Sequence, residues 1–216
     1  MKDFKFVPSP EQKAIIDRRA GNNIGIYGGS FNPPHLGHTF MILAVMATQL
    51  IDEIWVLPCA DHPFKSDLAP FEHRVKMCQW AFGHLANVHV MSLEGLLPKP
   101  NYTAQTLGAL KGQCPELDLH YIIGSDLAEE IPSWSHADNL SELAKFVIVP
   151  RQGHPLTDAP EILGDYSKVE LGFDLPELSS THLKRMMDRG ASVEGFFDKD
   201  ILNHVKKLNL YGYSND

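Results

Sequence analysis

His35 and His38 stand three residues apart behind two glycines and a proline pair, in the run Gly28-Gly29-Ser30-Phe31-Asn32-Pro33-Pro34-His35-Leu36-Gly37-His38. Residues at that spacing share a helix face, so both imidazoles can meet one ligand at a helix start. An anion there gains unpaired backbone N–H groups and the positive end of the helix dipole. Each imidazole adds a donor, and two donors suit a phosphorus centre that gathers negative charge as it is attacked. Gly28 and Gly29 let the backbone come close to the ligand, and Gly37 is expected to keep the surface open between the histidines. A zinc pair is one rival use, but no cysteine or glutamate stands at metalloprotease spacing. Plain helix-cap histidines are another, and they leave the glycines and prolines unexplained. A Gly-x-Gly-x-x-Gly loop is absent, which weakens an oxidoreductase reading.

Further chemistry-bearing residues follow in order. Lys65 and Arg74 can hold phosphates or simply be solvated charges. Thr103 can cap a helix over Thr103–Gly112. Gly124-Ser125-Asp126 offers a carboxylate to ribose hydroxyls, or an N-cap for the next turn. Trp134 sits between Ser133 and Ser135, which suggests a surface loop, although large aromatics usually pack in cores. Arg151 can reach a phosphate through paired hydrogen bonds. Ser179 or Ser180 can cap a further helix whose N–H groups hold phosphates.

These residues need a scaffold that gathers them. β-rich runs at Ile24–Gly28, Glu53–Pro58, Val88–Leu93, Leu119–Gly124, Phe146–Pro150 and Lys168–Leu171 alternate with helical patterns at Leu36–Leu50, Glu72–Leu85, Thr103–Gly112, Ser180–Arg189 and Asp198–Leu208. In the first helix, Leu36, Phe40, Leu43, Ala47 and Leu50 follow helical spacing. Such alternation implies an α/β doubly wound, Rossmann-like parallel sheet of five to six strands with helices on both faces. Right-handed crossovers then bring every strand's C-terminal end to one edge, where ligands bind. Residues 1–22 form an N-terminal extension with a helix from Ser9 or Pro10 to Arg19. Residues 23–216 form one domain, with 178–216 as its C-terminal helical part.

Composition narrows the function. Of 216 residues, 44% are apolar, enough for a substantial core, and the net charge of −8 argues against a broad basic face for nucleic acid. Cys59, Cys78 and Cys114 are odd in number and widely spaced, as expected of thiols in a reducing compartment. Residues 1–20 lack a signal-peptide apolar core, and Phe40–Ala47 is too short to span a bilayer. A cytoplasmic protein with no membrane contact is expected.

The Gly28–His38 run resembles the signature of the nucleotidyltransferase superfamily with the (His/Thr)-x-Gly-His motif. Within it the chain is most similar to the bacterial nicotinate/nicotinamide mononucleotide adenylyltransferases, from about Ile24 to Tyr211. Phe71-Glu72-His73-Arg74, Tyr102-Thr103-Ala104-Gln105-Thr106, Gly124-Ser125-Asp126 with Trp134, and Ser179-Ser180-Thr181-His182-Leu183-Lys184 match later motifs of that family. The resemblance implies ATP bound by Gly28, Gly29, Ser30, Phe31, His35 and His38, by Gly124 and Asp126, and by Ser179, Ser180, Thr181 and Lys184. It implies a mononucleotide held by Asn32, Lys65, Arg74, Tyr102, Thr103, Thr106, Trp134 and Arg151, with Trp134 stacking on the pyridine ring. His38 would act on the α-phosphate with His35 assisting, Lys184 would hold the leaving pyrophosphate, and Mg²⁺ would accompany ATP.

Three positions depart from the family's pattern. Asn32 replaces a common Asp, and Lys184 replaces an Arg, keeping charge without the two-point fork. Gln152 replaces a Pro and is expected to loosen its turn without moving Arg151. The reaction implied is adenylyl transfer to nicotinate mononucleotide in NAD biosynthesis. Nicotinamide mononucleotide as preferred acceptor, transfer to a different phosphate, and a catalytically weak nucleotide-binding regulator are the alternatives.

Overall fold

The computed structural model describes residues 6–18, 23–156, 159–173, 175 and 178–213. Its six-stranded sheet comprises β1 (Asn23–Gly29), β2 (Glu53–Pro58), β3 (Val88–Val90), β4 (Asp118–Gly124), β5 (Lys145–Val149) and β6 (Tyr166–Lys168). All paired neighbours run parallel in the order β3-β2-β1-β4-β5-β6. The expected doubly wound α/β fold is therefore present. β6 begins two residues before the Lys168 expected from sequence, because Tyr166, Ser167 and Lys168 take the places opposite Phe146, Val147 and Ile148.

Strand residues alternate between two apolar layers, as the period of a pleated strand requires. Ile26, Trp55, Leu57, Tyr121 and Phe146 face one side, with α1 (Pro10–Asp17) and α4 (Thr103–Gln113). Ile54, Val56, Ile122 and Val147 face the other, with α2 (Leu36–Ala47) and α3 (Phe71–Phe82). Two short helices, α5 (Ser125–Ala128) and α6 (Leu140–Leu143), were not legible from sequence periodicity. Chain-terminal helices α7 (Ser180–Asp188) and α8 (Lys199–Lys207) cover the second layer.

In α1, Ser9 caps the start through a reciprocal capping box with Gln12, and the helix is tied down by Gln12 Nε2 donating to Ser92 Oγ at 2.8 Å. Arg19, its expected end, lies outside the described residues. The expected helix at Leu36–Leu50 is present as α2 and ends at Ala47. Its buried stripe is Met41, Ile42, Ala44 and Val45, while Leu43 and Leu50 are exposed. Nine of the helix's twelve residues are large or small apolar types all round its surface, so spacing alone does not choose a face. Among the described residues no helix is long and apolar enough to cross a membrane.

Candidate active site

The strand order reverses between β1 and β4, the place where doubly wound sheets bind ligands beyond their strand ends. β1 pairs with β4 only over Asn23–Ile26, then follows β2 as far as Gly29 opposite Pro58. β4 meanwhile pairs with β5 up to Gly124 opposite Val149. The sheet thus opens between Gly28-Gly29 and Gly124. Gly28 is needed there, because a Cβ would sit 2.7 Å from the Tyr121 hydroxyl.

His35 and His38 flank this opening with ring centroids 3.9 Å apart. His35 is the N-cap of α2: its Nδ1 accepts from Gly37 N–H at 3.2 Å, while His38 Nδ1 accepts from His35 N–H at 3.1 Å. Both Nδ1 atoms are acceptors, so each neutral ring carries its proton on Nε2. Burial, then the Arg151 charge, pushes the His35 pKa down to about 3. Burial chiefly, with His35 and Arg151, holds His38 well below its usual value. The two rings are therefore neutral donors. Gly37 does not open the surface as expected. The space its side chain would take is filled by the His35 ring and Leu178 Cβ, each 3.0 Å from a Cβ built there. Phe31, expected at the ATP site, is buried with φ of 45° and forms a floor 5.0 Å beneath the His38 ring.

Across the opening, Arg151 Nη1 lies 3.5 Å from Asp126 Oδ2, and Nη2 donates to Leu178 O at 3.1 Å. Ser125 Oγ accepts from Arg151 N–H at 2.9 Å and donates to His154 O at 2.7 Å. Asp126 sits in the first turn of α5 and makes no cap; the N-cap there is Gly124, which bears no side chain. Gly124 also passes beneath the Asp126–Arg151 pair, where a Cβ would collide with Asp126 Oδ1. The Arg151 charge acts on both imidazoles. The Gln152 turn is tied instead of loosened, since Gln152 N–H donates to Leu175 O at 3.2 Å, a bond that proline lacks.

The start of α7 closes the site. Ser179 caps it by accepting from His182 N–H at 3.2 Å, and Ser180 Oγ donates to Pro33 O at 3.0 Å. Thr181 and Lys184 line a cleft of about 600 Å³ together with Asp67, Arg185 and Tyr211. Lys184 Nζ donates to Asp67 Oδ2 at 3.1 Å.

The residues expected at a mononucleotide divide into two groups. Lys65 stands at the opening, with Nζ donating to Ser30 Oγ at 3.2 Å. Half-buried Tyr102 begins α4 without capping it, and Thr103 does not cap it either, because it occupies the first helical position. Its hydroxyl instead lies 3.4 Å from the Tyr121 hydroxyl. Trp134 is half-buried, edge-on to Tyr121 at 6.3 Å. By contrast Arg74, Asn32 and Thr106 are buried. Arg74 is neither solvated nor open to a ligand. Only 1% exposed, it donates to Ala69 O and Ser30 O at 2.8 Å each. Asn32 accepts from Ala69 N–H and the Tyr211 hydroxyl at 2.9 Å each, and donates from Nδ2 to Asp67 O at 3.2 Å. An aspartate there has no donor for that last bond.

Glu94 escaped the sequence reading. It is buried, and its Oε1 accepts from Thr106 Oγ1 at 3.0 Å while Oε2 accepts from Ala60 N–H at 3.2 Å. It joins the loop after β2 to α4, and burial holds its pKa above the usual carboxylate range. A glutamate in a 3₁₀ turn (Leu93–Leu96) carries no sequence sign of that task.

Comparison with known proteins agrees with this geometry. A family model described as cytidylyltransferase-like matches residues 26–186. A probable nicotinate-nucleotide adenylyltransferase of Anaeromyxobacter dehalogenans is 38% identical over 195 residues, covering 88% of this chain and 97% of its own length. One from Thermus thermophilus is 31% identical over 188 residues, covering 87% of this chain and 98% of its own. The solved Plasmodium falciparum nicotinic acid mononucleotide adenylyltransferase complexed with NaAD has a TM-score of 0.73 at 25% identity, covering 90% of this chain and 100% of that one. A family match over residues 26–186, carried through in relatives above 30% identity, means that the chain belongs to the cytidylyltransferase-like family, alongside proteins named nicotinate-nucleotide adenylyltransferases.

Proposed function

We propose that this chain is a nicotinate-nucleotide adenylyltransferase of NAD biosynthesis, joining nicotinate mononucleotide to the adenylyl group of ATP with release of pyrophosphate. The observation that carries the reading is the pair of neutral imidazoles with Nδ1 satisfied, set beside Arg151 at the switch point of the sheet. An oxygen of the mononucleotide phosphate attacks the α-phosphorus. The bond from that phosphorus to the bridging oxygen breaks, and its electron pair leaves with pyrophosphate. The attacking phosphate is already anionic, so no base is needed, and catalysis is positioning plus charge stabilisation. His38 Nε2–H donates to the α-phosphate as charge develops, with His35 holding the His38 ring and Arg151 adding positive potential. Lys184 and the Ser179–Thr181 helix start receive the β- and γ-phosphates.

Among the described residues no group of three His, Cys, Asp or Glu is placed to hold a metal ion. Mg²⁺ bound with the ATP phosphates would supply charge neutralisation to the leaving pyrophosphate beside Lys184. The mononucleotide lies toward Lys65, Tyr102, Thr103 and Trp134, with Trp134 against the pyridine ring. Arg74, Asn32 and Thr106 support this pocket from behind through their buried hydrogen bonds. Free Cys59, Cys78 and Cys114 suit work in the cytoplasm.

The deciding experiment measures pyrophosphate release with ATP and either nicotinate or nicotinamide mononucleotide under equal conditions. The nicotinate compound is expected to have the higher kcat/KM. Release with neither compound overturns the reading.

A further inference from the structure

Tyr211 lies in no motif discussed above, yet it touches the phosphate site at two points. Its hydroxyl donates to Asn32 Oδ1 at 2.9 Å, across 179 residues of chain. Its ring centroid lies 5.6 Å from Lys184 Nζ, within cation–π range. The same side chain lines the cleft of about 600 Å³ that Thr181 and Lys184 share. Burial raises its phenol pKa, so the hydroxyl stays protonated as the donor. The backbone is bent to deliver it. Tyr211 has φ of 59° and ψ of 21°, a left-handed conformation that bulky residues rarely adopt, between Asn209 at φ 49° and Gly212 at φ 70°.

A lysine chain carries four rotatable carbons and loses much freedom when it grips a phosphate. A ring beside the ammonium confines it before ATP arrives. Asn32, meanwhile, already joins the phosphate-binding turn to Asp67 and Ala69, and the Tyr211 hydroxyl fills its remaining acceptor position. We propose that Tyr211 is a positioning residue for ATP: its ring holds the Lys184 ammonium at the phosphate cleft, and its hydroxyl locks the Asn32 turn to the 67–69 loop. The inference rests on the assignment of that cleft to the ATP phosphates. A residue that merely filled the core would affect both substrates alike.

The test compares Tyr211→Leu, Tyr211→Phe, Lys184→Met and the Leu/Met double variant, reading KM for each substrate, kcat and melting temperature. Tyr211→Leu is expected to raise the KM for ATP about tenfold, from loss of the ring–ammonium contact and the Asn32 bond. The KM for the mononucleotide should stay within about twofold, and Tyr211→Phe, which keeps the ring, should lose at most about threefold for ATP. In the Lys184→Met background the loss on Tyr211→Leu should shrink to the part that Tyr211→Phe shows alone. Equal changes in both KM values, or an undiminished loss in that background, overturn the inference. Should Tyr211→Leu not fold, Tyr211→Met carries the same test, with similar reach and no π face. If the wild type releases no pyrophosphate, the functional reading fails on its own. Calorimetric titration of ATP into the same variants then decides: weakened binding that depends on Lys184 supports the role of Tyr211, and unchanged binding removes it.

Discussion

Lys184 Nζ is bonded to Asp67 Oδ2 at 3.1 Å, so a carboxylate of the loop after β2 occupies the ammonium that lines the cleft of about 600 Å³. The Lys184 hydrogen bond and charge hold the Asp67 carboxyl below its usual pKa, which keeps it anionic. Asp67 is 75% exposed at its side chain, and pairs so placed contribute only about 0–1 kcal/mol. A phosphate can displace such a partner at little cost.

Asp67→Asn therefore removes a competitor for Lys184. The KM for ATP should fall about twofold to fivefold, the equivalent of up to about 1 kcal/mol, with kcat nearly unchanged. Steady-state rates at varied ATP check this, and a raised KM contradicts the competition.

The histidines make a prediction in pH. Folding holds the His35 pKa at about 3 against a usual 6.5, so between those values the unfolded chain binds more protons. Stability is fully present above about 6.5 and falls as pH drops toward 3, by up to about 1.4 kcal/mol per pH unit for each such group. The catalytic donor form is neutral, so kcat should show no acid limb near 6.5. Urea denaturation across pH, with a kcat profile at saturating substrates, tests both statements. An inflection near 6.5 that disappears in His38→Asn would mean that the imidazole titrates in the working enzyme.

His38→Ala should lower kcat by roughly 10²–10³, as loss of one donor to a developing anion does. The mononucleotide KM should move far less if the ring acts on the α-phosphate as proposed. Single-turnover rates separate the chemical step from product release. A variant with near-normal single-turnover rate would remove His38 from the chemistry.

At Gly124 the backbone passes directly beneath Asp126 and Arg151. Gly124→Ala should force that ion pair apart, weakening ATP use at least about tenfold through displacement of groups fixed to within a fraction of an ångström. The fold should persist, since β4 and β5 remain paired along His120–Gly124. Circular dichroism alongside kinetics distinguishes displacement from unfolding.

Glu94 should matter to both stability and the mononucleotide. Glu94→Ala removes the partner of the half-buried Ala60 N–H and leaves the Thr106 hydroxyl only its longer bond to Tyr102 O at 3.4 Å, at a cost of about 1–3 kcal/mol for an unsatisfied group. The mononucleotide KM should rise with little change for ATP, because Glu94 joins the two walls on that side only. Unchanged melting temperature and KM would show that the bridge is dispensable.

Local chemistry made part of this protein readable from its residues. Glycines, prolines and paired histidines between an apolar run and a helical pattern mark a turn suited to an anion, because backbone freedom and helix-end dipoles are properties of a few adjacent residues. The alternation of strands and helices likewise fixed the doubly wound class, with β6 displaced, β3 ending at Val90 instead of Leu93, and α5 and α6 too short to leave a period. Which side of α2 is buried was not readable, since apolar residues surround it. Nor was the division of charges. Arg74 and Lys65 look alike as cations near one loop, yet one is sealed behind the Ser30 carbonyl and the other stands at the opening. Glu94 with Thr106, Lys184 with Asp67, and Tyr211 with Asn32 join segments that only folding brings together. Such pairings depend on the packing of the whole sheet and its covering helices, so no local pattern encodes them, and tertiary structure alone decided them.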